Sequence, residues 1–310
     1  MLDVRRLLIL REVARCGSFT AAAQALDYTP SAISQQIAAF ERELDTQLVQ
    51  RGPRGATLTE PGRMLVSRGE TVFSQLALIE RELRALAGLE SGLLRLGWFA
   101  TAGSTLVSRA IGIFRARYPG VRIELTECDP DECVPKLRDG EVDLALVYQF
   151  ELEPGLPADI EQIDVIDDPL HIGLPSGHRL AGRRVVRLAD LAGDSWIQGV
   201  RHGPTLDVLP RACRSAGFDP VVTLRTDDRA VVEGLVAAGV GVALFPQITL
   251  PAARPDIVIR RLDSPILLRK VRVAMAVNGY RGPAAEPMIG VIKEVCGQIA
   301  VEAVRRLGRS

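Results

Sequence analysis

Residues 18–40 read SFTAAAQALDYTPSAISQQIAAF, and this stretch predicts two short helices joined by a tight turn. The first helix is rich in alanine, which is the strongest helix former. Thr29 is a suitable N-cap for the second helix, and Pro30 suits its first position because no N–H is needed there. A pair of helices with this spacing is typical of a helix-turn-helix, with an ordinary helical hairpin as the alternative.

The second predicted helix has one apolar face and one polar face. The apolar residues recur at helical spacing and are expected to face the core: Ile33, Ile37 and Phe40. The outward positions are then Pro30, Ser31, Ser34 and Gln35. Glutamine bonds adenine through two hydrogen bonds and serine bonds either base type, so this face suits the major groove of DNA.

A short basic hairpin is predicted directly after these helices. Residues 48–62 read LVQRGPRGATLTEPG, in which Arg51 and Arg54 lie beside glycines and precede a strand-like ATLT. This pattern indicates the wing of a winged helix-turn-helix, whose arginines reach phosphates or the minor groove. A plain surface loop is the alternative, and the position after a helix-turn-helix favours the wing.

Residues 61–89 are predicted to form one long helix with a heptad seam. The seam residues are Val72, Leu76, Ile79, Leu83 and Leu86, and Leu65 extends the seam backward across an interruption at Gly69. A long helix with a single apolar stripe must pack on another copy of itself or on a neighbouring domain. A dimer is favoured because two recognition helices can then read half-sites one DNA turn apart.

From residue 93 onward strands alternate with helices, which predicts an α/β architecture with mostly parallel sheets in two lobes. Residues 163–169 and 263–268 are the candidate crossing segments. Ligands of such sheets bind at the carboxyl ends of strands, here between the lobes. The expected domains are a winged helix-turn-helix at 1–60, a linker and dimerisation helix at 61–91, and an effector-binding domain at 92–310, with lobe I at 92–165 and 268–310 and lobe II at 166–267.

Charge and hydropathy restrict the class of protein. The 310 residues include 38 Lys and Arg against 38 Asp and Glu, so the formal net charge is zero. A neutral chain is a poor non-specific coat for nucleic acid, and DNA affinity must come from local arginines and from dimerisation. No apolar run is long enough to span a bilayer and no export signal is recognised, so a cytoplasmic location is expected.

No catalytic or metal-binding motif is recognised in the sequence, so neither an enzyme nor a cofactor is expected. The five cysteines are scattered, which favours reduced thiols. Cys128 and Cys133 enclose three acids and give a faint indication of a metal or redox site, but helix capping by Asp129 or Asp131 is the simpler interpretation. The three histidines are expected to be ordinary surface or hydrogen-bonded residues: His171, His178 and His202.

The chain resembles the LysR-type transcriptional regulators over essentially its whole length. The N-terminal resemblance is carried by GSFTAAAQALDYTPSAISQQIAAFERELDTQLVQR and RGATLTEPG, and the C-terminal one by GVRIELTE, LRDGEVDLALV and VAAGVGVALFP. Many members carry Gln-Pro where this chain has Pro30-Ser31, which leaves open the base that position 30 reads.

The resemblance implies a winged helix-turn-helix, a dimerising linker helix and a two-lobed effector domain similar to periplasmic solute-binding proteins. It implies binding to double-stranded DNA at an interrupted palindrome, as a dimer or tetramer, under the control of a small-molecule effector. By motif position, the recognition-helix contacts are Ser31, Ser34, Gln35 and Gln36, and the wing contacts are Arg51 and Arg54.

The effector residues are placed in the same way. Thr101, Ala102, Gly103 and Ser104 match the loop that often contacts the effector, and Tyr148, Gln198, Gly199 and Thr226 fall at strand ends that face the same cleft. Arg201 and His202 add positive charge. Hydroxyls and N–H groups near helix starts favour a small anionic or zwitterionic effector, unless they only cap their own helices.

These observations predict a DNA-binding transcriptional regulator whose promoter binding is modulated by an effector. The alternative is a solute-binding or enzymatic α/β domain with an unrelated helical N-terminus. A secreted solute-binding protein would need an export signal, and an enzyme would need a set of catalytic residues. Neither is recognised in the sequence.

Overall fold

The computed structural model describes residues 2–52, 55–86, 92–150, 155–200, 204–263 and 267–308. Contacts between residues divide the chain into two compact units, Met1–Glu80 and Arg81–Ser310. The described residues include no helix that is both long and apolar enough to cross a membrane.

The first unit is a winged helix-turn-helix followed by most of a long helix, whose last turns belong to the second unit. Its elements are α1 (Val4–Cys16), α2 (Phe19–Ala25), α3 (Pro30–Glu43), β1 (Val49–Gly52), β2 (Gly55–Leu58) and α4 (Glu60–Leu86). The predicted start of α3 is confirmed, because Thr29 Oγ1 accepts a hydrogen bond from Ala32 N at 3.2 Å and Pro30 is the first helical residue. The apolar face is also confirmed, since Ile33, Ile37 and Phe40 are at most 1% exposed.

The helix α4 has two apolar faces, where the sequence predicted one stripe. One face packs on α1: Gly69 faces the Leu7 side chain, and the Arg11 guanidinium lies 4.4 Å from the centre of the Phe73 ring. Leu65 packs into this N-terminal core, so its assignment to the seam is wrong. The other face is exposed, with Val72 at 43%, Leu76 at 42%, Ile79 at 51% and Leu83 at 61%, and the side chain of Leu86 lies outside the described residues.

Lobe I of the second unit is a sheet with helices on both faces. Its strands are β3 (Leu93–Trp98), β4 (Arg122–Glu127), β5 (Leu144–Phe150), the first part of β6 (Ile160–Pro175) and β12 (Leu268–Ala276). Its helices are α5 (Ala100–Ala102), α6 (Ser108–Arg117), α7 (Pro130–Arg138) and α10 (Ala285–Gly308), and a π-helical turn at Gly103–Val107 separates α5 from α6.

Lobe II is built on the second part of β6. Its other strands are β7 (Val185–Arg187), β8 (Ser195–Gln198), β9 (Val221–Arg225), β10 (Val242–Pro246) and β11 (Ile257–Asp263). Its helices are α8 (Pro204–Ser215) and α9 (Arg229–Ala237), with 3-10 turns at Leu188–Leu191 and Gln247–Ala252. Trp196 is fully buried in its core.

The strand order is β4-β3-β5-β12-β6-β10-β8-β9, with β11 paired to β6 and β7. The outer pairs are parallel, but β6 and β12 run antiparallel to each other and to their neighbours β5, β10 and β11. The expectation of mostly parallel sheets therefore fails at the centre, because the strands that carry the chain out of a lobe and back run in opposite directions. Their register places Arg269 opposite Asp168 and Arg272 opposite Asp164.

Two predictions on individual residues are wrong. Cys128 and Cys133 form a disulfide with a Cα–Cα distance of 5.5 Å, so reduced thiols are found only for the free Cys16, Cys213 and Cys296. His171 lies on β6 in the interior of lobe II at 4% exposure, neither of its ring nitrogens has a hydrogen-bond partner among the described residues, and burial lowers its pKa to about 4. The capping interpretation of the acids is confirmed for Asp129, which forms a capping box with Glu132 at the start of α7.

Candidate DNA interface and effector site

The outward face of α3 carries uncharged polar groups. Ser31 and Gln35 are exposed, Ser34 is half-buried, and the Ser31 hydroxyl lies 3.0 Å from Thr29 Oγ1. Gln36 is half-buried, and its Oε1 accepts a hydrogen bond from Arg6 Nε at 3.3 Å. Ser31 and Gln35 therefore have the better geometry for contacts outside the protein.

Backbone contacts fix the wing against the helices. Glu41 Oε1 accepts hydrogen bonds from Leu48 N at 2.8 Å and Val49 N at 3.0 Å, which ties α3 to β1. Ala56 N of β2 donates to Gly17 O at 2.8 Å, and Gly17 ends α1 in the left-handed conformation with φ 63°. These bonds set the position of the hairpin relative to α3.

The structure describes the wing arginines only in part. The backbone of Arg51 lies in β1 and is paired with Ala56, whereas its side chain is outside the described residues. Arg54 lies wholly outside them.

Arg269 is the centre of a buried polar cluster in lobe I. Its Nε donates to Asp168 Oδ2 at 2.7 Å and its Nη2 donates to Thr101 Oγ1 at 2.9 Å. The guanidinium also stacks on two rings, 5.1 Å from the centre of Phe99 and 4.7 Å from that of Tyr148. Two predicted effector residues, Thr101 and Tyr148, are thus brought together by a residue that the sequence analysis did not select.

Burial raises the pKa of the Asp168 carboxyl, while the Arg269 guanidinium and the backbone N–H of Ile248 oppose that shift. The Arg269–Asp168 pair was missed because its partners are 101 residues apart. The available signal was charge of opposite sign on the two crossing strands, since β6 carries four acids and β12 carries three bases.

The loop after β3 begins its helix earlier than predicted. The sequence placed the helix start near Thr105, but α5 begins at Ala100, so Thr101 lies in the first turn and Ser104 lies in the π-helical turn. Ala102 is buried, and Gly103 leaves no room for a Cβ against the Trp98 ring. Single π-helical turns are frequent at functional sites. Ser104 is the exposed hydroxyl of this loop.

A second cluster in lobe II contains the predicted residues Gln198, Gly199 and Thr226. Thr226 N donates to Gln198 O at 2.9 Å, and Gln198 Oε1 accepts from Arg225 Nη1 at 2.8 Å. The backbone N of Val200 donates to Asp227 Oδ1 at 2.9 Å. Arg201 and His202 lie outside the described residues.

The start of α9 is capped, contrary to the expectation of free donors there. Asp228 Oδ1 accepts from Ala230 N at 2.8 Å and from Val231 N at 3.3 Å. Thr226 Oγ1 in turn accepts from Asp228 N at 3.2 Å. Helix capping therefore accounts for Asp228 and for the Thr226 hydroxyl, and an anion site at the N-terminus of α9 is not supported.

The 3-10 turn after β10 links the Arg269 cluster to the start of α9. Ile248 N donates to Asp168 Oδ1 at 2.9 Å, and Ile248 O accepts from the buried Thr105 hydroxyl at 2.6 Å. The adjoining Thr249 O accepts from Arg229 Nη2 at 3.0 Å, and Arg229 is the first residue of α9. Hydrogen bonds, together with the peptide bond between Ile248 and Thr249, thus connect Thr101 of lobe I to the start of α9 in lobe II.

Comparison with known families assigns both halves of the chain. Residues 4–63 match the model of the bacterial regulatory helix-turn-helix proteins of the LysR family, and residues 87–297 match the LysR substrate binding domain. The chain belongs to the LysR family. It is a LysR-type transcriptional regulator with a DNA-binding helix-turn-helix and a two-lobed α/β effector-binding domain.

Individual relatives cover nearly the whole chain. The HTH-type transcriptional regulator YvbU of Bacillus subtilis is 28% identical over 96% of this chain and 99% of its own length. A probable RuBisCO transcriptional regulator of Emiliania huxleyi is 30% identical over 77% of this chain and 76% of its own. The structure of a full-length OxyR variant from Pseudomonas aeruginosa has a TM-score of 0.64 at 21% identity, covering 94% of this chain and 95% of that one.

Proposed function

We propose that this LysR-type regulator reads an interrupted palindromic operator with α3, and that a small anionic effector bound between the lobes modulates the affinity. The observation that carries the proposal is the division of α3, whose apolar face is buried to at least 99% while Ser31 and Gln35 are exposed. A helix held in this way presents its N-terminal residues to base edges. Pro30, Ser34 and Gln36 complete the proposed contact face, and Arg51 and Arg54 are the proposed phosphate or minor-groove contacts.

The proposed division of labour follows the expected boundaries. Residues 1–60 bind DNA, residues 61–91 link and dimerise, and residues 92–310 bind the effector, with lobe II at 166–267. The exposed seam on α4 supports self-association, because four large apolar side chains recur there at heptad spacing. We place the protein in the cytoplasm, where its DNA partner is found.

The operator proposal is tested with Gln35→Ala. Footprinting on the intergenic DNA upstream of the gene first supplies the operator, and gel-shift titration then measures the variant. Loss of one bidentate base contact is expected to weaken specific binding by about 1–3 kcal/mol. Gln24→Ala is the matched control, since Gln24 is an exposed glutamine on α2. Equal operator affinity of Gln35→Ala and Gln24→Ala would contradict the proposed role of α3.

The effector proposal centres on the Arg269 cluster. Arg269, which is paired with Asp168, holds Thr101 and Tyr148 together, and Ser104 adds an exposed hydroxyl to the loop that contains Thr101. Gln198 and Gly199 are the proposed contacts on lobe II, and Arg201 and His202 follow them in sequence, whereas the Thr226 hydroxyl is already used at the start of α9. The effector changes DNA binding only by its different affinity for two lobe arrangements.

The test of the effector site is a thermal-shift screen of small organic acids on the full chain, followed by calorimetry of any acid that stabilises it. Thr101→Val and Gln198→Leu are expected to weaken binding of that acid, whereas Thr71→Val on the exposed part of α4 is expected to leave it unchanged. An acid that binds both site variants as tightly as the parent protein would place the effector elsewhere.

A further inference from the structure

The disulfide between Cys128 and Cys133 lies in the interior of lobe I. Cys128 follows β4 and is 1% exposed, and Cys133 lies in the first turns of α7 and is 0% exposed. Burial raises the pKa of the free thiols of Cys213 and Cys296 to about 12, which marks them as inert. Cys128 and Cys133 differ from these thiols in being bonded to each other, and since they are buried as deeply, any reaction with a reagent requires local opening of the structure.

The pair packs against the strand that leads into the candidate effector loop. A Cβ placed on Gly97 of β3 would lie 3.1 Å from Cys128 Sγ and 3.3 Å from Cys133 Sγ. The same point lies 3.3 Å from the Ala145 Cβ of β5. Cys128 N donates to Trp98 O at 2.9 Å, and the Trp98 ring lies on Gly103 of the π-helical turn. Two consecutive residues of β3, Gly97 beside the sulfur atoms and Trp98 beside Gly103, therefore connect the disulfide to the candidate effector loop.

The turn between the two cysteines does not need a covalent staple. Cys133 N donates to Asp129 O at 2.8 Å, and the Asp129–Glu132 capping box closes the same turn. A bridge over five residues encloses a short loop, and cross-linking stabilises a short loop less than a long one. Disulfides of reducing compartments are mostly transient and catalytic or redox-sensing.

We propose that Cys128 and Cys133 form a reversible redox site, which a hydroperoxide oxidises and a dithiol reduces, and whose state controls the end of β3 and the loop after it. One thiolate attacks the peroxide, so that the O–O bond breaks, a sulfenic acid forms and an alcohol, or water from hydrogen peroxide, leaves. The second thiol attacks that sulfur, the S–S bond forms and water leaves. A dithiol reverses the reaction by exchange through a mixed disulfide and is itself oxidised to a disulfide.

Local opening of α7 gives reagents access to the sulfur atoms. The helix is nine residues long and contains Pro135, which has no N–H to bond the carbonyl four residues earlier. Two unbonded sulfur atoms need more room than two bonded ones, and Gly97 and Ala145 leave little on that side. Reduction therefore displaces β3 or α7, and a displacement of β3 moves the Trp98 ring against Gly103.

The first test follows the thiols of the full-length protein by mass spectrometry. Trypsin cleaves after Arg122 and Lys136, so one peptide contains both cysteines. Native protein is treated with dithiothreitol or hydrogen peroxide, unfolded, and alkylated with iodoacetamide. Two labels are expected after dithiothreitol and none after a subsequent treatment with peroxide, with Cys213 and Cys296 labelled in both samples. Failure of dithiothreitol to reduce the native pair, or of peroxide to re-form the bond, overturns the proposal.

The second test asks whether the redox state reaches the loop. Trp196→Phe leaves Trp98 as the single tryptophan, because the chain has two. A shift of its emission maximum is expected between the oxidised and reduced forms. Cys128→Ser is expected to abolish the redox response and Cys213→Ser to keep it; Cys133→Ser replaces Cys128→Ser if the latter fails to fold. An emission that does not respond to the redox state overturns the coupling, and operator binding by the same sample would show that the proposed function still stands.

Discussion

Arg269 and Asp168 form an ion pair between β12 and β6 in which the Arg269 side chain is 4% exposed and the Asp168 side chain 0%. The same two strands carry a second pair of the same chemistry, between Arg272 and Asp164, in which the Asp164 side chain is 71% exposed. One ladder thus holds a buried and an exposed copy of one interaction. Comparing the two pairs therefore shows how much burial changes the contribution of such an ion pair to stability.

Asp168→Ala is expected to destabilise the second unit by about 3–5 kcal/mol, because Arg269 would remain buried without its counter-charge. Asp164→Ala is the matched control and is expected to cost at most about 1 kcal/mol. Both tryptophans lie in the second unit, so urea unfolding followed by their fluorescence reports on it alone. Similar losses for the two variants would show that the buried pair has no special role.

Arg51→Ala is expected to weaken binding to all DNA sequences and to lower the slope of log affinity against log salt by about one. The reason is its position in the hairpin that Glu41 and Gly17 hold beside α3. Gln50→Ala is the control, because Gln50 is an exposed and uncharged neighbour of Arg51, and it is expected to leave the salt slope unchanged. Gel shifts over a range of salt concentrations measure both. An unchanged slope for Arg51→Ala would exclude a phosphate contact by this residue.

Ile79→Glu is expected to convert the protein into monomers and to reduce operator binding. Ile79 is 51% exposed within the seam, and a carboxylate there must be buried in a dimer or prevent its formation. Thr71→Glu adds the same charge at an exposed position off the seam, and it is expected to leave the mass unchanged. Light scattering gives the mass, and circular dichroism checks that both variants are folded. A dimer of unchanged mass for Ile79→Glu would refute the seam.

The first unit was predictable because its signals are local. Thr29, Pro30 and Gly17 act through their own backbone positions, and the apolar face of α3 is set by helical periodicity alone. The second face of α4 was missed because Gly69 acts through its close approach to Leu7, far away in sequence.

The candidate site was less predictable because long-range register creates it. Arg269 meets Asp168 only after two crossing strands pair, and nothing near either residue in sequence specifies that pairing. The disulfide had the opposite difficulty. Its cysteines are close in sequence, but a separation of five says little until the backbone brings their Cα atoms to 5.5 Å.

His171 makes part of the stability of lobe II depend on pH. Burial lowers its pKa from 6.5 to about 4, a contact with the Gln247 side chain opposes the shift, and the charge of Arg261 adds to it. Above pH 6.5, the pKa of the unfolded chain, this histidine is neutral in both the folded and the unfolded state, so it does not make the stability depend on pH. As pH falls below 6.5 the unfolded chain takes up a proton that the folded chain refuses, so the free energy of unfolding decreases until about pH 4.

Between about pH 7 and about pH 5 this residue is expected to remove about 2 kcal/mol of stability. His171→Leu is expected to abolish that part of the loss, so its stability falls less steeply over the same range. His178→Gln is the control, because it removes a different histidine ring, one that bonds Asp194, and leaves His171 in place. It is expected to retain the loss of stability that His171 causes. Urea unfolding at each pH, followed by tryptophan fluorescence, measures all three proteins. Equal slopes for His171→Leu and the parent protein would show that the ring is protonated in the folded state or exposed to solvent.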